Sequence, residues 1–149
     1  MGRYVSTITY DHNENLSCVV RNFRAIDDRD KILKGFNISV KIVFESFNLD
    51  QDLTNVPCSL EIIINDYLRS TFHNTTIISD DDPAIDEFNR LCDLGIINLK
   101  TMPGVGIEKF AEHVFLFIQN HLNESNISRL IIKTVEVREH SGRSSLYIA

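Results

Sequence analysis

Long apolar runs are missing from this chain of 149 residues: none approaches the ~20 residues that cross a bilayer, so a membrane-spanning helix is not expected. No segment recurs at a period of roughly 20 to 50 residues, which excludes a solenoid or propeller. Cysteine is scarce. Cys18, Cys58 and Cys92 are an odd number with neither CxxC nor Cys/His spacing, so no disulfide framework or cysteine-based metal site is indicated. The first residues lack a basic stretch followed by an apolar one, and with reduced thiols this is the pattern expected of a cytoplasmic protein. A basic surplus is also absent. Fifteen Lys and Arg against 21 Asp and Glu leave a formal charge of -6, which repels phosphate backbones and anionic lipid. Neither nucleic acid nor a membrane is therefore an expected partner.

What is present suffices for one core. A chain of this length is expected to form a single domain, residues 1–149, burying about two-thirds of its unfolded surface. Residues 4–10 are β-branched and aromatic, and Ile38, Val40, Ile42 and Phe44 alternate with Ser39, Lys41, Val43 and Glu45, so two long antiparallel strands are predicted. Between them, "NENLSCVVRNFRAIDDRDKILKG" is polar with a few apolar anchors and reads as a long functional loop. Leu60, Ile63, Ile64, Tyr67 and Leu68 then recur at helical spacing. In "SDDDPAIDEFNRLCDLG" Asp82 can cap a short helix with Pro83 at its first position and Gly95 at its stop. The acids Asp80, Asp81 and Asp82 read as a solvated helix entrance. "GIINLK" suits a short strand. Ile107, Phe110, Ala111, Val114, Phe115, Ile118 and Leu122 make the strongest apolar stripe, and strands are predicted over 130–139 and 145–148. This order predicts an α+β fold: a four-stranded antiparallel sheet with two main helices on one face and a short extra helix.

One residue disturbs the pattern. Glu139 falls in phase with Val135 and Val137, the core-facing side of its strand, where an unpaired carboxylate costs several kcal/mol. It either anchors a ligand, lies solvated at the strand end, or pairs with Arg138 or Arg143. The stretch "PGVGIEKF" lacks the Lys-Ser/Thr ending of a phosphate loop, so its glycines are read as shaping the helix start.

The ordered set "GFNISVKIVFE", "FHNTTIISDDDP", "MPGVGIEKFAEHVFLFI" and "VEVREHSGRSSLY" resembles the 6-pyruvoyl-tetrahydropterin synthase and 6-carboxytetrahydropterin synthase family. The resemblance covers roughly residues 35–147 and implies the tunnelling fold. It implies a closed homo-oligomer, for which a hexamer built as a dimer of trimers is one form. It also implies a planar, pterin-like ligand held by Glu139, because an amidine-like donor pair on a carboxylate is bidentate and charge-assisted. Glu108 matches the glutamate of the family's helix start and His12 the first of its three zinc-binding histidines. Lys34 and Phe36 stand where the other two would be, so the zinc site is expected to be lost and no cofactor is expected. His73 matches the histidine of the family's Asp-His pair, with Phe72 replacing the aspartate, and Asp28 lies near the loop position of its proton-transfer cysteine. His73 and Asp28 are therefore the candidate catalytic pair, although His73 reads equally well as a helix-end cap and His12 as an exposed loop residue. The expected function is that of a divergent synthase-like protein that binds a pterin or similar ring and lacks the standard reaction. The alternative is a non-catalytic binding or scaffold protein of the same fold.

Overall fold

The computed structural model describes residues 3–47 and 56–149. Ten elements follow one another: β1 (Arg3–Tyr10), β2 (Leu16–Val20), β3 (Lys34–Phe47), α1 (Cys58–Phe72), β4 (Thr75–Ser79), α2 (Ile85–Asp93), β5 (Leu99–Met102), α3 (Ile107–Glu124), β6 (Leu130–His140) and β7 (Arg143–Ile148). Two 3-10 turns, His12–Glu14 and Asp28–Asp30, interrupt the N-terminal third. The class is α+β, as the sequence predicts, with α1 and α3 as the main helices and α2 as the short one.

The sheet departs from the expected four antiparallel strands. It has seven strands in the order β5-β4-β2-β3-β6-β7, with β1 also paired to β3, and it is mixed. Two physical reasons account for the difference. First, β1 and β2 lie end to end along one edge of β3, Tyr10 opposite Val40 and Leu16 opposite Ile38. The His12–Glu14 turn breaks them apart, and Asn15 leaves it with a left-handed φ of 58°. The segment 16–20, which reads as loop among its polar neighbours, is therefore a strand. Second, β4 joins β2 in parallel and β5 joins β4 in parallel. All five residues of β4 are buried, so it lacks the alternation of a half-exposed strand.

The core follows the alternation of β3. Ile38, Val40, Ile42 and Phe44 are fully buried, and Ile42 and Val40 face Val135 and Val137 across the β3–β6 pairing. Against them pack Leu60, Ile64, Leu68 and Phe72 of α1 and the seven-residue stripe of α3. Phe72 meets Phe110 edge to face, 5.1 Å between ring centroids, which ties the two helices together. α2 opens at Ile85 and not at Pro83, because the Asp82 carboxylate accepts the Ala84 N–H at 2.8 Å and holds residues 82–84 in a turn before the helix.

This packing makes a direct prediction. Phe110→Ala should lower the unfolding free energy by about 3 to 5 kcal/mol, whereas Ile62→Ala should change it by less than about 0.5 kcal/mol. Ile62 is 61% exposed on α1. Urea unfolding followed by circular dichroism checks both; similar losses for the two would contradict the assignment of the helix faces.

Candidate functional site

The site begins where β3 outruns its neighbour. β3 starts at Lys34, yet its pairing with β6 starts only at Ser39 opposite Arg138. Beyond that point the β6–β7 pairing slips between Arg138 and His140, so Glu139 is the extra residue of a bulge. A bulge re-aims the side chain that alternation would send into the core. The Glu139 side chain is only 16% exposed and meets Nε of Arg143 at 3.4 Å across the turn. Of the alternatives open from the sequence, pairing with Arg143 is the contact formed.

The gap left beside β3 is a cleft of about 150 Å³. Glu139 and Arg143 form one wall, Lys34 and Phe36 with Val20, Asn22, Ala25 and Asp30 the other, and the start of α3 closes the end. Glu108 comes from the first turn of α3, where the helix dipole favours a carboxylate. Gly106 precedes it with φ 118°, and a Cβ added there would stand 3.2 Å from the Glu108 Oε2. Glycine therefore permits both the backbone turn and the approach of this carboxylate. Lys34 is paired with Asp30, and Glu139 with Arg143. Glu108 has no ion-pair partner among the described residues.

The structure thus brings Glu139 and Glu108 together in one cleft with Lys34 and Phe36, from three distant stretches of sequence. The other candidates lie elsewhere. His12 sits in the first 3-10 turn, its Nδ1 donating to the Asn37 carbonyl at 2.6 Å while Asn37 Nδ2 donates to the His12 carbonyl at 2.9 Å. His73 follows α1, its Nδ1 donating to the Asn15 carbonyl at 2.7 Å and its Nε2 accepting from Asn74 Nδ2 at 3.2 Å. Both imidazoles fasten the β1–β2 break to its surroundings. Asp28 has a side chain 93% exposed and pairs with Lys31 at 3.1 Å. None of the three lines the cleft.

One group escaped the sequence reading. Asp82 is not a solvated helix-entrance acid: its side chain is fully buried and accepts from Arg21 twice, Nε to Oδ2 at 2.9 Å and Nη2 to Oδ1 at 3.2 Å. Asp81 receives the Arg24 guanidinium and the Ser79 hydroxyl, and these bonds hold its carboxyl well below the usual carboxylate range. An acidic triplet is ordinarily solvent-facing, and only the parallel pairing of β4 with β2 carries it to arginines some sixty residues earlier.

The zinc that the family resemblance implies can be tested against these side chains. Lys34 and Phe36 face Val20 and Cys18 across the β2–β3 pairing, and His12, whose Nδ1 donates to the Asn37 carbonyl, offers only its Nε2 as a single nitrogen ligand. Burial pushes the Cys18 thiol up to about 12, so it stays protonated and is a poor metal ligand. An ammonium, a phenyl ring, an isopropyl group and a protonated thiol do not fit a zinc ion. No group of three or more His, Cys, Asp or Glu side chains among the described residues is placed to hold a metal. Protein prepared without chelator should accordingly carry substoichiometric zinc by elemental analysis; one tightly held zinc per chain would contradict this donor assignment.

No family model matches the chain, and no curated protein matches it in sequence. Solved structures do match in shape. An uncharacterized protein from Wolinella succinogenes is 13% identical with a TM-score of 0.74, over 99% of this chain and 97% of that one. The 6-pyruvoyl tetrahydropterin synthase of Plasmodium falciparum is 13% identical with a TM-score of 0.64, over 97% and 96% of the two chains. That of Caenorhabditis elegans is 12% identical with a TM-score of 0.59, over 99% and 95%. The fold of this chain is that of the 6-pyruvoyl tetrahydropterin synthases, the tunnelling fold that the sequence motifs resemble.

Proposed function

We propose that the cleft binds a pterin or a similar planar heterocycle, with Glu139 as anchor and Glu108 as a second contact. The observation that carries this reading is the convergence of Glu139, Glu108 and Phe36 at the open end of β3. Adjacent ring N–H donors can replace Arg143 on the Glu139 carboxylate, because the Arg143 side chain is 62% exposed and free to swing into solvent. Two parallel charge-assisted bonds then compensate the desolvation of the carboxylate. Phe36 offers an apolar face to the ring.

The cleft in one chain, about 150 Å³, is smaller than the roughly 300 Å³ at which ligand pockets begin. The reading therefore requires a homo-oligomer in which a neighbouring copy completes the site, a hexamer built as a dimer of trimers being one such form. In the described sheet β1 pairs with β3 alone and β7 with β6 alone, so each leaves an open edge that association would cover. Among the described residues no helix is long and apolar enough to cross a membrane, and the charge of -6 disfavours nucleic acid; the location that goes with this reading is the cytoplasm.

This reading uses no cofactor and no zinc, and it leaves out the standard synthase reaction. The placement of His73 and Asp28 away from the cleft favours a second reading, a non-catalytic binding or scaffold protein. Were the protein a catalyst, it would be a lyase-type enzyme without the family's metal.

Calorimetric titration of pterin distinguishes anchor from surface carboxylate. Glu139→Gln keeps the shape but replaces an acceptor oxygen with a donor, so binding should weaken by about 2 to 4 kcal/mol while folding changes little. Glu136 points to the opposite face and pairs with Arg138 at 3.3 Å, so Glu136→Gln should leave binding intact. Pterin binding that ignores Glu139 but follows Glu136 would remove the anchor.

A further inference from the structure

A buried ion pair is weak evidence for stability, since an apolar couple of similar volume often does as well. What the charged pair adds is direction: a guanidinium fork fixes its partner in one orientation. Arg21 sits between two residues of the cleft wall, Val20 and Asn22, and its own N–H donates to the Ile77 carbonyl at 3.2 Å. The turn that follows is closed on itself. Asn22 Oδ1 accepts the Arg24 N–H at 3.1 Å and the Asn22 carbonyl accepts the Ala25 N–H at 3.2 Å, so Asn22 and Ala25 form one unit of the wall. Farther along, Asp27 with Arg29 and Asp28 with Lys31 are local, exposed pairs, while Asp30, whose carbonyl accepts the Asn22 N–H at 3.4 Å, pairs with Lys34 at the start of β3 through half-exposed side chains that salt screens.

From this we infer that Asp82 is a positioning residue: through Arg21 it sets the wall formed by Asn22 and Ala25, and with it the affinity of the cleft. The inference rests on the reading of the cleft as a planar-ring site. Asp82 is well suited to the task because it is itself held twice, its Oδ1 accepting the Ala84 N–H at 2.8 Å and its own N–H donating to the Ser79 carbonyl at 3.1 Å. Asp81 and Arg24 form a parallel attachment at the surface, where side chains are half exposed and salt screens the pair.

The test is pterin titration of the full chain as wild type, Asp82→Asn, the double variant Arg21→Met with Asp82→Asn, and Asp81→Asn. The double variant removes both charges, while the carboxamide that replaces the Asp82 carboxylate still accepts the Ala84 N–H, so no unpaired buried ion is left even if Asp82→Asn alone folds poorly. Both Asp82 variants should bind pterin about tenfold or more weakly, since small misplacements of binding groups carry costs of that order. Asp81→Asn should change affinity by less than about twofold at physiological salt. In the double variant the chain should stay folded by circular dichroism, with a melting temperature lowered by the unpaired N–H donors of the new carboxamide, and amide exchange should rise at residues 22–25 while the β3 and α3 core stays protected. That combination separates positioning from a merely structural role. Wild-type affinity and slow exchange in the double variant would overturn the role of Asp82 and leave the cleft reading standing. Failure of the wild type itself to bind pterin would overturn both.

Discussion

Fourteen consecutive residues of β3 must find partners along two edges, and no other strand among the described residues is long enough to cover either edge alone. On one side the chain solves this with two strands in line, β1 and β2, joined by a 3-10 turn that His12 and Asn37 fasten together. On the other side β6 covers only Ser39 to Ser46. The uncovered end of β3 is therefore a consequence of strand length, and the cleft occupies it. Glu139 stands at its rim because β6 bulges at the point where its pairing with β3 gives out.

The charges around that opening, three carboxylates and two cations, differ in commitment. Lys34 is held by Asp30 and Arg143 by Glu139, both on side chains that keep contact with water, so each cation can be exchanged for a ligand group at modest cost. The Arg21–Asp82 pair behind the wall is of another kind. Its carboxylate is wholly buried, and removing one partner would strand a charge. A cleft with exchangeable charges in front and a fixed pair behind is a reasonable way to combine ligand exchange with a constant shape.

Strong periodicity made part of this legible in the sequence. The alternation of Ile38 to Phe44 and the stripe from Ile107 to Leu122 are one-dimensional signals of one-sided burial, and both elements form as their patterns predict. The misplaced phase of Glu139 was visible too, because a carboxylate on a core face demands a partner. β4 was hidden by being buried throughout, which erases alternation, and β2 by its five residues lying among polar ones. Asp82 was hidden because an acidic triplet looks solvated until β4 lies beside β2. His12, His73 and Asp28 could be aligned by motif order, but their distance from the cleft depends on turns that the residue types alone do not specify.

The central claim is that the open end of β3 receives a planar, donor-bearing ring on Glu139. Its most direct test is a crystal structure of the protein grown with pterin. The account predicts the ring between Phe36 and the start of α3, its amino and ring N–H groups on the Glu139 carboxylate, and Arg143 displaced toward solvent. A ring bound elsewhere on the subunit, with the Glu139–Arg143 pair intact, would contradict it.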